Sequence, residues 1–452
     1  MVESISVIGL GKLGSPLAAS FAARGFRVTG VDLDKQKIDA INRGLPPVDE
    51  PGLEGLIRES HGRLSATQNA ETAVLASEAT FIVVDTPSEP GGGFSLRHVL
   101  PAVKTIGNAL RTKAGFHLVV LTSTVMPGST GGEVRPALER ISGKSCGEAF
   151  GLCYSPEFIA LGSVIHDFYF PDFVLIGESD PHAGRLLAEI YRRTCKNTPF
   201  VARMNFINAE ITKLAVNTYV TTKISYANMI ARLCEKLPEA DASVVTTTLG
   251  LDSRIGPKYL KGAVSYGGPC FPRDNRALAA LATRVGALSG LAEATDLFNR
   301  AQITSIIGIV RSHYSGNHAI GVLGLTYKAD TDVVEEAFGL LLANELSSMN
   351  LPVIVYDPCA DITGALDSGK TVRRADSAQE CIDQSEVVVL ATPWQEFREI
   401  PAERWAHSGP RTVIDCWSVL RYLDGVKGVR YVRLGCGPEA ERAREAPAGC
   451  KI

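Results

Sequence analysis

The stretch Gly9-Leu10-Gly11-Lys12-Leu13-Gly14 decides the fold of the first part of this chain. It overlaps the end of an apolar, strand-like run at 5–10 and begins a helical run that ends near Gly25. A second strand-like run at 28–31 ends at Asp32, twenty-three positions after Gly9. This order of strand, glycine turn, helix, strand and acid is typical of a dinucleotide-binding βαβ unit.

The same unit predicts an NAD site. A pyrophosphate group can sit on the N-terminus of the helix, and the Asp32 carboxylate can accept hydrogen bonds from the ribose hydroxyls. An acid rather than a cation at this position favours NAD over NADP. The alternative is a surface glycine turn with a solvated Asp32.

The bulk properties exclude several classes of function. The 452 residues suggest two or three domains, and a net charge of −3 gives no reason to expect nucleic acid or an anionic membrane as partner. No run of 18 apolar residues predicts a membrane span. The ten cysteines form no C-x-x-C pair, which argues against zinc and against a disulfide framework. We therefore expect no metal site, and, with no signal peptide visible, a cytoplasmic protein with reduced thiols.

Two further strands are predicted at 81–84 and 117–121, each followed by hydroxyl-bearing residues. Ligands of open parallel sheets bind beyond the carboxyl ends of the strands, so Thr86, Ser123 and Thr124 are predicted to lie beside ligands. Each hydroxyl could instead be a helix cap or an ordinary turn residue. A third strand at 152–154 leads into Ser155-Pro156-Glu157-Phe158, where Glu157 is either a site carboxylate or a first-turn helix acid.

The pattern then changes to a long helix at 205–234 and a second at 288–312, which predict a mainly helical middle domain. Lys213 and Asn217 are four residues apart and share a face that continues toward Thr221 and Asn228. We expect a polar seam facing a cleft, whereas the alternative is a solvated lysine face.

Between these helices lies Gly267-Gly268-Pro269-Cys270-Phe271-Pro272-Arg273-Asp274. The glycines allow close approach of the backbone to a ligand, and the prolines fix the turn around the cysteine. A thiol in such a loop could have a pKa below its free value of roughly 8.5 and act as a nucleophile. The alternative is that Cys270 is a small apolar residue filling a core.

After a polar hinge at 315–317, a second α/β module echoes the first, with strands at 320–325, 352–357 and 387–393. The glycine motif is missing, because Gly324 is followed by Leu325-Thr326-Tyr327-Lys328. We interpret this module as one that holds a nucleotide other than a dinucleotide, with Lys328 either on a phosphate or solvated. The tail from Gly437, rich in Pro, Ala, Glu and Arg, is predicted to be disordered.

Together these residues resemble the UDP-glucose/GDP-mannose dehydrogenase family from Ser6 to about Tyr422. The run from Ser253 to Lys261 is most similar to the UDP-glucose branch. The resemblance implies an α/β fold in which two Rossmann-like doubly wound domains are joined by a central helical domain. Its parts would be an NAD-binding domain at 1–200, a dimer-forming domain at 201–315, a nucleotide-sugar domain at 316–435 and the tail at 436–452. It also implies a homodimer or higher homo-oligomer and a role in polysaccharide biosynthesis.

The family chemistry is a four-electron oxidation of a nucleotide sugar's primary alcohol to a carboxylate. Carried over, Cys270 is the nucleophile that forms a thiohemiacetal and then a thioester, and Lys213 and Asn217 stabilise oxyanion character. Asp274 handles protons through a water, Glu157 assists hydrolysis and Thr124 positions substrate or water. The residues implied at the cofactor are Gly9, Gly11, Leu13, Gly14, Asp32, Lys37, Thr86, Pro87, Ser123, Thr124 and Arg273. Those implied at the substrate are Phe158, Ile159, Lys213, Asn217, Arg254, Tyr259, Lys261, Gly267 and Lys328.

Three positions depart from the family pattern. Leu161 replaces a second glutamate, Glu335 replaces an arginine before Glu336, and Trp417 replaces the arginine of an Asp-x-Arg motif. Since losing a bidentate donor is not a neutral change, these positions put UDP-glucose itself in question. The alternatives are another nucleotide sugar of the GDP-mannose or UDP-N-acetylhexosamine type, a two-electron β-hydroxyacid dehydrogenase, or a catalytically idle nucleotide-binding protein.

Overall fold

The structure is a computed structural model that describes residues 2–60, 62–360, 362, 365, 371–406 and 410–438. Its strands are β1 Ser4–Ile8, β2 Arg27–Val31, β3 Leu64–Thr67, β4 Ala79–Ile82, β5 His117–Leu121, β6 Phe150–Tyr154, β7 Phe173–Glu178, β8 Phe200–Met204, β9 Ala319–Leu323, β10 Val353–Tyr356, β11 Val372–Arg374, β12 Ser385–Leu390, β13 Arg411–Asp415 and β14 Val429–Arg433.

The α-helices alternate with these strands in both α/β parts and dominate the middle of the chain. They are α1 Gly14–Ala23, α2 Lys35–Asn42, α3 Leu53–Glu59, α4 Ala70–Ala76, α5 Val99–Thr112, α6 Arg135–Ser142, α7 Val164–Tyr169, α8 Pro181–Thr194, α9 Phe206–Cys234, α10 Ala242–Gly250, α11 Phe271–Val285, α12 Gly290–His313, α13 Phe338–Ser348, α14 Ala378–Asp383, α15 Gln395–Arg398 and α16 Ala402–Trp405. A π-helical turn at Thr130–Val134 and a 3-10 turn at Arg421–Leu423 complete the regular structure.

The first sheet has the strand order β3-β2-β1-β4-β5-β6-β7-β8. Its strands pair in parallel except for the antiparallel contact of β6 with β7. Helices cover both faces of such a sheet, which explains why β5 and β6 are buried along their whole length and read as continuous apolar runs. The strand order reverses between β1 and β4, so a ligand crevice is expected at the carboxyl ends of these two strands.

The second sheet has the order β11-β10-β9-β12-β13-β14 and is parallel throughout. This is the order of the first six strands of the first sheet, transferred to a new stretch of sequence. The predicted fold class, two Rossmann-like modules with a helical part between them, is confirmed.

The glycine turn of the first module has a counterpart in the second. Gly9 donates to the Val31 carbonyl at 2.8 Å, and Gly324 donates to the Tyr356 carbonyl at 2.8 Å. Both have positive φ, at 100° and 95°. A Cβ on Gly14 would lie 1.8 Å from the Gly9 carbonyl oxygen, and a Cβ on Gly339 would lie 1.9 Å from that of Gly324.

The contiguous glycine motif is therefore absent from the second module, as predicted, but two of its glycines are retained in space. Gly9 and Gly14 are separated by five positions and Gly324 and Gly339 by fifteen, so ten additional residues lie between the second pair. We call residues 325–337 the insertion loop.

The chain divides into two compact units. One contains the residues up to Val216 together with Ala280–Ala287, and the other contains Asn217–Ala279 and the chain from Leu288 onward. The described start of the predicted tail is ordered, since Gly437 donates to the Ala240 carbonyl at 2.9 Å, and residues 439–452 lie outside the described residues. In the described part, no helix combines the length and apolar character that crossing a bilayer would need.

Candidate active site

The glycine turn and the acid that follows β2 form the first half of the predicted cofactor site. The backbone N–H of Leu10 donates to Asp32 Oδ2 at 2.7 Å, and that of Asp34 donates to Oδ1 at 2.9 Å. Lys37 Nζ lies 3.7 Å from Asp32 Oδ2, and the Asp32 side chain is 14% exposed to solvent. The acid is thus fixed at the carboxyl end of β2 with part of its surface accessible.

The residues of this turn fit a dinucleotide. An added Cβ on Gly11 would meet nothing within 4 Å, so the backbone there leaves room for a group to approach closely. Leu13 directly precedes α1, whose unpaired N–H groups attract a pyrophosphate. With Asp32 in place for the ribose, the turn meets the requirements of NAD.

The loops after β4 and β5 are tied to one another. Thr86 Oγ1 donates to the Thr124 carbonyl at 2.6 Å, and Ser123 Oγ donates to the Val84 carbonyl at 2.5 Å. Pro87 accepts a backbone hydrogen bond from Ser95 at 2.9 Å. These hydroxyls therefore hold the loops that line the end of the sheet.

Three predicted site residues meet beyond β6. Lys213 Nζ, on α9, donates to the main-chain carbonyl of Glu157 at 2.6 Å and lies 4.6 Å from the ring centroid of Phe158. Lys213 is only 7% exposed, so its ammonium group lies largely out of contact with solvent. The ring of Phe158 packs on Phe173, and Ile159 packs against the main core of this unit.

The Glu157 carboxyl is the titrating group of this cluster. Burial raises the pKa of Glu157 to about 7, although a hydrogen bond from Tyr191 and the charge of Lys213 both act to lower it. Tyr191 OH donates to Glu157 Oε1 at 2.7 Å. At neutral pH the carboxyl can therefore both accept and donate a proton, which favours the role of site carboxylate.

Cys270 lies in a different environment from most of the other described cysteines. Its side chain is exposed, whereas Cys153, Cys381 and Cys416 are buried. It directly precedes α11, and its carbonyl accepts the first helical hydrogen bond, from Asp274 N at 2.8 Å. The alternative that Cys270 fills a core is wrong. A position at a helix N-terminus favours the thiolate over the thiol.

Asp274 follows Cys270 by one helical turn and is hydrogen-bonded to Asn217, the amide predicted to lie in the site. Asn217 Nδ2 donates to Asp274 Oδ2 at 2.6 Å, and the two residues are 8% and 1% exposed. Among the described residues, Oδ1 of Asp274 makes no hydrogen bond, and Arg273 Nε lies 3.5 Å from it. A buried carboxylate oxygen of this kind is suited to holding a water molecule.

The rest of the polar seam on α9 differs from the prediction. Thr221 accepts from Asn275 Nδ2 at 2.8 Å, and Asn228 donates to the Val264 carbonyl at 3.1 Å. From Thr221 onward the seam is therefore packed against the segment 263–275 and does not face an open cleft. Buried amides and hydroxyls need partners, and here residues 263–275, which we call the Cys270 segment, supply them.

The insertion loop contacts the Cys270 segment directly. Gly268 N donates to the Glu335 carbonyl at 2.9 Å, and a Cβ on Gly267 would lie 2.2 Å from the Glu336 carbonyl oxygen. Arg276, on α11, pairs with Glu336 at 3.1 Å. Glu335 thus contributes its main chain here and leaves its side chain exposed, while Lys328 is half-buried in the same loop.

Three predicted substrate residues are exposed on the segment between α10 and α11. The Arg254 side chain is 87% exposed and pairs with Asp252 at 2.6 Å. Tyr259 is 51% exposed with φ of 64°, and Lys261 is exposed.

The other two departures have structural roles. Trp417 Nε1 donates to the Ala391 carbonyl at 2.8 Å, and its ring packs on the second module's core. Leu161 packs on the core of the first module.

Tyr191 and the Arg276–Glu336 pair were not anticipated. Tyr191 lies on the amphipathic helix α8, where the sequence pattern predicts that an aromatic residue packs in the core. Its partner, Glu157, is 34 positions away in the sequence. Among the residues that the structure describes, no cluster of three or more His, Cys, Asp or Glu side chains could hold a metal ion.

The fold and these clusters define an NAD-dependent dehydrogenase with a second nucleotide-binding module. Sequence models of the UDP-glucose/GDP-mannose dehydrogenase family match in three parts: the NAD binding domain at 3–195, the central domain at 207–301 and the UDP binding domain at 321–422. The chain belongs to the UDP-glucose/GDP-mannose dehydrogenase family and is an NAD-dependent nucleotide-sugar dehydrogenase.

The similar proteins include relatives named for each of the two substrates in the family name. The chain is 33% identical to UDP-glucose 6-dehydrogenase AglM of Haloferax volcanii, over 93% of this chain and 98% of the relative. It is 35% identical to GDP-mannose 6-dehydrogenase of Azotobacter vinelandii, over 78% of this chain and 80% of the relative. Among solved structures, a UDP-glucose dehydrogenase from Pyrobaculum islandicum has a TM-score of 0.86 at 32% identity, covering 97% of this chain and 98% of that one.

Proposed function

We propose that the protein oxidises UDP-glucose to UDP-glucuronate with two molecules of NAD. The similarity to AglM extends over 93% of this chain, and the similarities to the GDP-mannose enzymes of Azotobacter vinelandii and Pseudomonas putida extend over 78% and 88%. The third matched part is described as a UDP binding domain. The observation that carries the four-electron chemistry is the exposed thiol of Cys270 at the start of α11, one turn before the Asn217–Asp274 pair.

The proposed division of labour follows the three parts 1–200, 201–315 and 316–435. NAD is held by the glycine turn, Asp32 and Lys37, the loops around Thr86 and Ser123, and Arg273. Lys328 pairs with phosphate in the third part. When bound, NAD accepts the hydride that leaves the sugar in each oxidation.

In the first oxidation, C6 of the sugar loses a hydride and its hydroxyl loses a proton, which leaves an aldehyde. The sulfur of Cys270 then adds to the aldehyde carbon, and the carbonyl oxygen becomes the hydroxyl of a thiohemiacetal. Loss of a second hydride and a proton gives a thioester. Lys213 and Asn217 are placed four residues apart on α9, so both can donate to the oxygen that gains negative charge.

Water ends the cycle by attacking the thioester carbon, which breaks the carbon–sulfur bond, returns Cys270 and leaves a carboxylate. Glu157 is the proposed base for this water, because its pKa of about 7 suits proton transfer at neutral pH. Asp274 would handle protons through a water at Oδ1, the oxygen that makes no hydrogen bond to the described residues.

We also propose that the protein forms a homodimer. On α9, Tyr219, Tyr226, Met229 and Leu233 are 64%, 45%, 38% and 54% exposed, and their spacing places them along one side of the helix. Contiguous exposed apolar side chains of this kind mark an interaction surface. Arg254, Tyr259 and Lys261, exposed in one chain, are assigned to substrate contacts completed in the dimer. A cytoplasmic location and a role in polysaccharide biosynthesis remain predictions.

The test mixes purified protein and NAD with UDP-glucose, GDP-mannose and UDP-N-acetylhexosamines, and counts NADH formed per sugar nucleotide. We expect two NADH per UDP-glucose and the uronate as product. One NADH per substrate would indicate the two-electron reaction instead. Binding of a sugar nucleotide with no NADH from any of them would identify an idle protein and overturn the proposal.

A further inference from the structure

Tyr191 connects the Glu157 carboxyl to a chain of hydroxyl groups. The phenol is 3% exposed, and its oxygen lies 2.7 Å from Glu157 Oε1 and 3.0 Å from Ser155 Oγ. Ser155 Oγ in turn donates to the Leu175 carbonyl at 2.9 Å. Two side chains from the segment after β6 and one from α8 are therefore linked to one fixed main-chain acceptor in β7.

This chain of groups is satisfied in both protonation states of Glu157. When the carboxylate is ionised, Tyr191 donates to it and Ser155 donates to Leu175. When Glu157 is protonated, its proton can be donated to the phenol oxygen, Tyr191 then donates to Ser155, and Ser155 still donates to Leu175. A hydroxyl can donate or accept, so the change of state requires only that the Tyr191 O–H rotate from Glu157 to Ser155.

The phenol and the thiol that neighbour Glu157 do not titrate with it near neutral pH. Burial raises the pKa of Tyr191 well above its usual 10 and the pKa of Cys195 to about 11. The charge of Lys213, on α9, favours the ionised form of the Glu157 carboxyl. The proton that enters or leaves this cluster at neutral pH is therefore the one on Glu157.

We propose that Tyr191 is a positioning residue for the hydrolytic step, which orients the Glu157 carboxyl through one hydrogen bond and lets it take up and release a proton without losing that bond. This inference rests on the proposed function of Glu157 as the base for thioester hydrolysis. Phenylalanine would fill the same volume and remove only the hydroxyl.

The first test is the pH profile of kcat for Tyr191→Phe with UDP-glucose. Because the lost hydrogen bond favoured the ionised carboxylate, we expect the acid limb to move up by about one pH unit. Turnover would then fall about fivefold at pH 7 and less than twofold at pH 9, with kcat/KM unchanged and both equivalents of NADH still formed rapidly in the first turnover, because both oxidations precede hydrolysis.

Tyr169→Phe is the matched control. Tyr169 is also 3% exposed, and its hydroxyl contacts the Ser20 carbonyl at 3.4 Å, away from Glu157. Its profile should match that of the unaltered protein. If Tyr191→Phe also keeps the unaltered profile in an active protein, the inference is wrong.

A second readout does not depend on turnover. The free energy of unfolding is measured at pH 5 and pH 8 for the unaltered protein, Glu157→Gln, Tyr191→Phe and the double variant. Protonated Glu157 stabilises the fold at pH 5, and this contribution to the free energy of unfolding is lost as the pH rises to 8. The loss should be larger in the Tyr191→Phe background, because the pKa of Glu157 is then further above that of an unfolded chain. Equal differences in the two backgrounds would overturn the inference even if no sugar nucleotide is oxidised, whereas inactivity alone would count only against the proposed function.

Discussion

At the scale of single residues, the nucleophile is distinguished by its position. The described cysteines form no disulfide with one another, and only two of them, Cys270 and Cys359, are exposed. Of these two, Cys270 stands at the N-terminus of the fifteen-residue helix α11. Exposure makes the sulfur accessible to substrate, and the helix terminus favours its ionised form.

Cys270→Ser should therefore abolish uronate formation. We expect kcat to fall by about 10³-fold or more, because a serine hydroxyl is not ionised at neutral pH and forms no thioester. NAD and UDP binding, measured by titration calorimetry, should be retained. Cys359→Ser is the matched control, since it removes the other exposed thiol, and full activity is expected. Normal turnover by Cys270→Ser would exclude covalent catalysis through this sulfur.

Residues in contiguous motifs were predictable, and residues joined through the fold were not. Cys270, Asp274 and Glu157 stand in short stretches whose composition indicates chemistry. Tyr191 does not, because its contact with Glu157 depends on how α8 packs against the end of β6. Sequence periodicity places Tyr191 on the apolar face of α8, but it cannot say that its hydroxyl reaches a carboxylate.

At the scale of elements, two glycines of the same turn have different roles. Gly14 is needed for the fold, and Gly11 is needed for the ligand. A side chain on Gly14 would clash with the Gly9 carbonyl, whereas one on Gly11 would meet open space. Sequence alone treats the two positions as equal members of one motif.

Gly11→Val should leave the free energy of unfolding within about 1 kcal/mol and weaken NAD binding at least tenfold, since the side chain would occupy the space expected for the pyrophosphate. Gly14→Val should lower stability by more than about 3 kcal/mol, because a main-chain contact of 1.8 Å cannot be relieved by a rotamer change. Denaturant unfolding and NAD titration of both variants check this. Tight NAD binding by a stable Gly11→Val variant would contradict the assignment of the turn.

The second module illustrates why element-level prediction was incomplete. Its strands were visible as apolar runs, but ten additional residues separate Gly324 from Gly339, so the glycine motif could not be recognised as a pattern. Asp357, the counterpart of Asp32, is buried and accepts hydrogen bonds from Leu325, Thr326, Trp394, Cys359 and Ala360. An acid so fully engaged cannot also bind a ribose, which agrees with a module that no longer takes a dinucleotide.

The buried histidine of β5 predicts a loss of stability in acid. Burial and the nearby Lys113 lower the pKa of His117 to about 3, and its Nε2 lies 2.8 Å from Thr80 Oγ1. Between pH 6.5 and 3 the unfolded chain binds a proton that the folded protein excludes, so stability falls as the pH falls. His117 should account for a loss of roughly 3 kcal/mol between pH 7.5 and 4.5.

Denaturant unfolding at the two pH values, compared between the unaltered protein and His117→Gln, measures this contribution. The variant should be less stable at pH 7.5, because a buried residue has been replaced, yet lose less stability on acidification. His318→Gln, at an exposed position, should leave the pH dependence unchanged. An equally steep acid loss in His117→Gln would show that other groups cause it.

At the scale of the whole molecule, the long helix α9 has two contrasting sides. One buries Lys213, Asn217 and Thr221, and the other exposes Tyr219, Tyr226 and Leu233. The sequence predicted the polar side from its spacing. The sequence does not identify the exposed apolar side, because an apolar residue on a helix gives no sign of whether its own chain covers it.

Large apolar side chains exposed along one side of a helix are disfavoured in water. Burying each one in an interface stabilises the dimer by roughly 1.5–3 kcal/mol. In a symmetric dimer each residue of such a surface counts twice, so a charge placed there opposes its own copy as well as the apolar contact. We therefore expect Tyr226→Glu with Leu233→Glu to convert a dimer into a folded monomer, as measured by sedimentation equilibrium with circular dichroism. Leu297→Glu, on α12 at a position 67% exposed, is the control and should remain dimeric if α9 provides the contact. If the α9 variant keeps its mass while the α12 variant dissociates, the interface lies on α12 and the proposed role of α9 is wrong.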